Sequence, residues 1–216
     1  MIYLLISMKT SSTSSTTAAA HPAKGRPRSF DPAQALDRAM RVFWSKGYEG
    51  TSLSDLTAAM GINRPSLYAA FGNKESLFRR ALQQYGEGSL TLLQPALARP
   101  TARAVAETML HSIVNLLTDP TTPGGCLWVR GALSCGECSD LLQQELAAMR
   151  GFMEQQIVAR LERAITEGDL PSSADPRALA KYLATVNYGL AIQSSAGATR
   201  KELLAIVETA LAAWPA

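Results

Sequence analysis

Asn63, Arg64, Pro65, Ser66 and Tyr68 lie on one short stretch of the chain, and their types suit a nucleic-acid groove better than bond-making chemistry. The arginine offers a cation for phosphate or guanine, the proline and serine are compact enough for close approach, and the tyrosine hydroxyl can reach a phosphate oxygen. The other pair with chemical potential is Cys135 and Cys138, a CxxC of the kind that serves zinc, a disulfide or a thiol switch. A structural zinc site wants four ligands, and only Cys126, His21 and His111 remain to supply them from scattered positions. Glu137 between the pair raises a thiol pKa rather than lowering it. The cysteines therefore read first as small, half-buried side chains, with a redox sensor acting through Cys135 and Cys138 as the alternative. No phosphate loop, nucleophile elbow or metal-binding histidine spacing is present in the sequence, so it predicts neither an enzyme nor a cofactor.

The groove-facing residues need two helices to hold them, and residues 51–74, TSLSDLTAAMGINRPSLYAAFGNK, supply that pattern. Ser52 is placed to cap a first helix, with Asp55 completing a capping box, and Leu53, Leu56 and Met60 recur on its inner side. Gly61 permits the left-handed turn, Ile62 fills the corner, and Asn63 caps a second helix whose Leu67 and Phe71 return to the same core. An earlier helix opens at Asp31–Pro32, carries Leu36, Ala39, Met40 and Phe43 inward, and stops at Gly47. Asn73 starts a longer helix that buries Leu77, Phe78, Ala81, Leu82 and Tyr85. Lys74 in its first turn opposes the helix dipole, which is understandable if a phosphate occupies that end in the working complex.

Charge follows the same division. Residues 24–80 hold ten Lys or Arg against five Asp or Glu, whereas residues 81–216 hold ten against thirteen. The positive field thus belongs to the segment that carries the helix pair. Lys24, Arg26 and Arg28, kept extended by Gly25 and Pro27, are suited to an arm entering a minor groove. The opening MIYLLI is too short and wrongly flanked for a secretory signal, and residues 1–23 read as a disordered Ser/Thr/Ala segment, with a start at Met8 as one option. No stretch is long and apolar enough to span a membrane.

Residues 25–85 closely resemble the N-terminal DNA-binding domain of the TetR family of transcriptional regulators. The resemblance rests on the helix from Asp31 to Gly47, on GTSLSDLTAAMGINRPSLYAAFGNKESLF, and on the order of basic arm, helix, helix-turn-helix and long helix. It implies that Thr51, Ser52, Asn63, Arg64, Pro65, Ser66, Tyr68 and Lys74 meet double-stranded operator DNA, with Tyr68 and Lys74 mainly on phosphates. It further implies a cytoplasmic, homodimeric regulator, a repressor whose C-terminal half binds a small molecule and leaves the operator when it does. Control by a protein partner, without a ligand, is a third reading.

The remainder predicts an all-α body: helices over residues 101–118, 126–133, 141–167, 176–193 and 200–214, after a linking helix that fades near Pro95. The expected organisation is a disordered segment over 1–23, a DNA-binding domain over 24–72, and a helical ligand-binding and dimerisation domain over 73–216. Leu93, Met109, Ile113, Trp128, Met149, Phe152 and Tyr188 are the candidates for the wall of the ligand pocket. The last two helices are apolar around most of their circumference. Leu179, Leu183, Val186 and Leu190 on one, with Leu203, Val207, Leu211 and Trp214 on the other, are the expected dimer surface, a four-helix contact about a twofold axis.

Overall fold

A computed structural model describes residues 30–133 and 140–215. Among these the only regular elements are helices: α1 (Pro32–Lys46), α2 (Leu53–Met60), α3 (Arg64–Phe71), α4 (Lys74–Leu97), α5 (Ala102–Leu117), α6 (Leu127–Leu133), α7 (Asp140–Thr166), α8 (Pro176–Ser195) and α9 (Arg200–Ala212). The all-α expectation holds, and the nine helices fall within a residue or two of most of the anticipated limits.

Local signals set the first four helices. Asp31, Ser52, Asn63 and Asn73 each accept a hydrogen bond from a backbone N–H in the following turn, satisfying donors that a helix start leaves open. Ser52 and Asp55 form the full reciprocal capping box. Gly61 ends α2 in the left-handed region, at φ 67° and ψ 32°, where a side chain would be strained.

The long helix α4 outruns its expected end, passing Pro95 to reach Leu97. Proline removes a single donor here, close to a terminus where few backbone bonds remain to be lost. The carbonyls beyond it are supplied from elsewhere. Arg160 of α7, only 4% exposed, donates from Nε to Leu97 O and from Nη2 to the Arg99 and Pro100 carbonyls. A cation at the end of α4 also complements its dipole.

Two apolar clusters organise the interior. One joins α1–α3 to the first half of α4 and continues through Leu127, Trp128, Leu142 and Leu146 of α6 and α7. The other fills the space among the end of α4, α5, α7, α8 and α9. The first cluster crosses residue 73, so the helix-turn-helix and the body share packing rather than meeting only through a linker.

The expected dimer stripe points inward. Leu183, Leu190, Leu203 and Val207 are fully buried within one protomer, and Leu211 and Trp214 nearly so. They pack in the second cluster, with Leu179 and Val186 half-buried against its edge. Both faces of these helices are apolar, and the more continuous stripe is the one the protomer itself covers. What α8 and α9 leave outward is Ile192 at 49% and Ile206 at 38% exposed, beside the half-buried Tyr182, Val186 and Leu204.

Candidate functional site

The recognition surface is built from α2 and α3. Leu56, Met60, Leu67 and Phe71 anchor the pair against Phe43 and Phe78, which turns the opposite side of α3 outward. Asn63, Arg64, Pro65 and Tyr68 are exposed and Ser66 is half-buried. The Asn63 side chain accepts from Ser66 N at 2.9 Å, so its carbonyl oxygen is committed while its amide donors remain to be used. Arg64 Nη2 donates to Ser54 Oγ of α2 at 3.1 Å. That contact aligns a long side chain across the mouth of the motif, and Ser54 is a neighbour the sequence did not reveal.

Lys46 and Asp55 fix α2 against α1 through an ion pair of 2.6 Å. Hydrogen bonds from Lys46 and then from Ser52 hold the Asp55 carboxyl far below its ordinary value of 3.8. Thr51 departs from its expected role. Its side chain is buried and its hydroxyl donates to Gly47 O at 2.6 Å, so it serves the turn between α1 and α2 and is not presented to a groove. Ser52 is exposed, but its hydroxyl is engaged with Asp55. Lys74 is half-buried with Nζ 4.4 Å from the centre of the Tyr48 ring, an arrangement in which the aromatic face steadies the charge at the start of α4. Lys24, Arg26 and Arg28 lie outside the described residues.

A second feature sits in the body. A cavity of about 100 Å³ opens among α4, α5, α7 and α8, and Leu93, Met109, Ile113, Trp128 and Tyr188 line it together. Met149 and Phe152 do not. They border an adjacent, more open groove of about 390 Å³ between α4 and α7, and Trp128 and Met153 form the partition between the two spaces. The cavity also takes in Tyr85, Ser89, Ser112, Cys126, Glu154 and Asn187, polar neighbours that an apolar periodicity does not single out.

Burial pushes the Tyr85 phenol well above its usual pKa and raises Tyr188 for the same reason. Burial thus favours the neutral phenol at both positions. Cys126 is a free thiol, and the Tyr85 hydroxyl donates to its Sγ at 3.5 Å. Cys135 and Cys138, the proposed redox pair, lie outside the described residues. Among the described residues no group of His, Cys, Asp and Glu is arranged to hold a metal ion, and no helix is long and apolar enough to cross a membrane.

A capped helix-turn-helix with an exposed second helix, carried on a larger helical body that encloses a cavity, defines a DNA-binding regulator with an internal chamber. Comparison with known proteins makes the assignment specific. Residues 35–81 match the family model for bacterial regulatory proteins of the tetR family, and residues 101–211 match the tetracyclin repressor-like C-terminal domain. The chain is 33% identical to the HTH-type transcriptional repressor ComR of Escherichia coli K12 over 195 residues, 89% of this chain and 92% of that protein. It is 51% identical to the repressor BdcR of the same organism over 61 residues, which are 28% of this chain and 31% of BdcR. Among solved structures, a cysteine-substituted form of the TetR family regulator CifR, complexed with 26-bp double-strand operator DNA, is 44% identical with a TM-score of 0.84. That match covers 88% of this chain and all of the CifR chain. The chain belongs to the TetR family and is a DNA-binding transcriptional regulator. These relatives do not favour the redox-sensor alternative.

Proposed function

We propose that the protein is a homodimeric repressor that binds double-stranded operator DNA through paired α3 helices and leaves it when a small molecule fills the cavity between α4, α5, α7 and α8. The observation that carries this reading is the exposed row Asn63, Arg64, Pro65 and Tyr68 on a helix whose other side is locked into the core. The operator-bound CifR relative supports the same use of the motif. Asn63, Arg64, Pro65 and Ser66 approach the bases, Tyr68 and Lys74 meet the backbone, and the segment holding Lys24, Arg26 and Arg28 enters the adjacent minor groove. Residues 24–72 form the DNA-binding unit and 73–216 the sensing and dimerising one, behind the segment 1–23. The protein works where the chromosome is, in the cytoplasm, and has no catalytic role.

A single short recognition helix binds weakly, and a dimer reads two half-sites about 34 Å or more apart. The exposed Ile192 and Ile206, with the half-buried Leu204 beside them, are the apolar side chains of α8 and α9 available for that pairing. The effector must bind more tightly to the arrangement whose half-site spacing is wrong. Thermal unfolding across a panel of small metabolites tests the reading, because a ligand specific for the native state raises the melting temperature by mass action. A hit should also release operator DNA in an anisotropy titration. A stabilising ligand that leaves operator affinity untouched would contradict ligand-released repression.

A further inference from the structure

We infer that Trp44 is the positioning residue that couples occupancy of the body cavity to the DNA-binding helices, a reading that rests on the proposed role of that cavity. The indole is buried at the end of α1, and its Nε1–H donates to Gly125 O at 3.0 Å, a contact 81 residues away in sequence. The next residue, Cys126, lines the cavity. Trp44 also meets Tyr85 edge-on at 4.9 Å between ring centres, and Tyr85 meets Trp128 edge-on at 5.4 Å. Tyr85 and Trp128 are both cavity wall. The same indole is thus held by two routes that begin at the chamber, and it stands on the helix that carries α2 through the Lys46–Asp55 pair.

The strap around Gly125 runs close against α8. Gly125 sits at φ 69°, and a Cβ there would fall 2.4 Å from Ser195 Oγ of α8. The strap is therefore pinched between α8, whose Ala184, Asn187 and Tyr188 line the cavity, and α1. Two more exposed braces tie the same surfaces: Arg41 Nη1 to Thr121 O and Arg130 Nη1 to Ser45 O, each at 2.9 Å. A displacement of α8 or of the Tyr85 ring reaches α1 through packed and hydrogen-bonded groups, and of the three α1 residues so tied, Trp44 is buried while Arg41 and Ser45 are exposed.

The test uses substitutions that fill the chamber in place of the unidentified effector. Ser112→Phe from α5 and Asn187→Phe from α8 each project a ring into it from a half-buried position. In full-length protein that still melts cooperatively, either filler should weaken operator binding by about ten-fold or more, within the usual range of allosteric coupling. Trp44→Leu deletes both the donor to Gly125 and the edge contact with Tyr85. Alone it should bind operator within about three-fold of the unaltered protein, and combined with a filler it should cut the filler's effect to about three-fold or less. A residue that only supports the fold would lower the melting temperature without changing that ratio. Fillers that act equally with and without Trp44 would overturn the coupling role and leave the effector chamber standing. Two folded fillers that leave operator affinity unchanged would overturn both.

Discussion

The three-helix end of the molecule and its cavity-bearing body are packed to different standards. Side-chain caps open helices in both, at α1–α4 and again at α5, α8 and α9, but in the first Phe43, Phe78, Leu56 and Leu67 are fully buried around a cluster of aromatic contacts. In the second, long helices enclose an unfilled space and leave Phe152, Ile192 and Ile206 in contact with solvent. A surface that must match a groove needs its side chains held in fixed positions, which dense packing provides. A surface that must accept a ligand and a second subunit needs space and unspent apolar area.

Truncation should expose that contrast most strongly. Phe43→Ala is expected to cost about 3–5 kcal/mol, whereas Met109→Ala at the wall of an existing cavity should fall near the low end of its class, about 2 kcal/mol. Urea unfolding of the two variants measures the gap, and equal costs would mean that the body is packed as tightly as the DNA-binding end. The dimer surface comes next. Ile206→Lys should weaken self-association by at least about 3 kcal/mol, because each copy would bury an unpaired charge; sedimentation showing an intact dimer would move the interface elsewhere.

On the DNA-binding side, Arg64→Ala is expected to cost about 1–3 kcal/mol at a cognate operator and to relax base preference there. Anisotropy with single-base operator variants reads both quantities, and an unchanged preference would confine Arg64 to aligning itself on Ser54. Ser52→Ala, which removes a cap, should lower stability by about 1 kcal/mol. The capping partner adds a pH signature. Because the folded protein holds the Asp55 carboxyl below its ordinary value of 3.8, its contribution is present above that value and is lost as the pH falls through it towards the lower folded value. Acid unfolding of Asp55→Asn should lack that component.

The DNA-binding end was legible because its instructions are local. Ser52 with Asp55, Gly61, and Asn63 each act within a few residues, so spacing alone placed α2, the turn and α3. The body depends on which distant face each helix meets. Leu203 and Val207 look like interface residues in sequence because α9 is apolar on two sides, and only assembly shows that this stripe belongs to the protomer's own core. A cavity is likewise a shape rather than a pattern. Five of the seven candidate wall residues do converge on it, yet Ser112, Cys126 and Asn187 join them without any periodic signal. Arg160 was invisible for a related reason: its value lies in reaching the Leu97, Arg99 and Pro100 carbonyls, 60 to 63 residues away along the chain.

The most direct measurement is capture of fragmented genomic DNA by the purified full-length protein at low ionic strength and without effector, followed by a binding titration on the enriched site as salt is raised. The account predicts a discrete enriched site with twofold-related half-sites, two protomers bound, and log affinity that falls linearly with log salt concentration. The salt slope should become shallower by about one unit in Lys74→Ala. Failure to retain any genomic fragment under those conditions would contradict it.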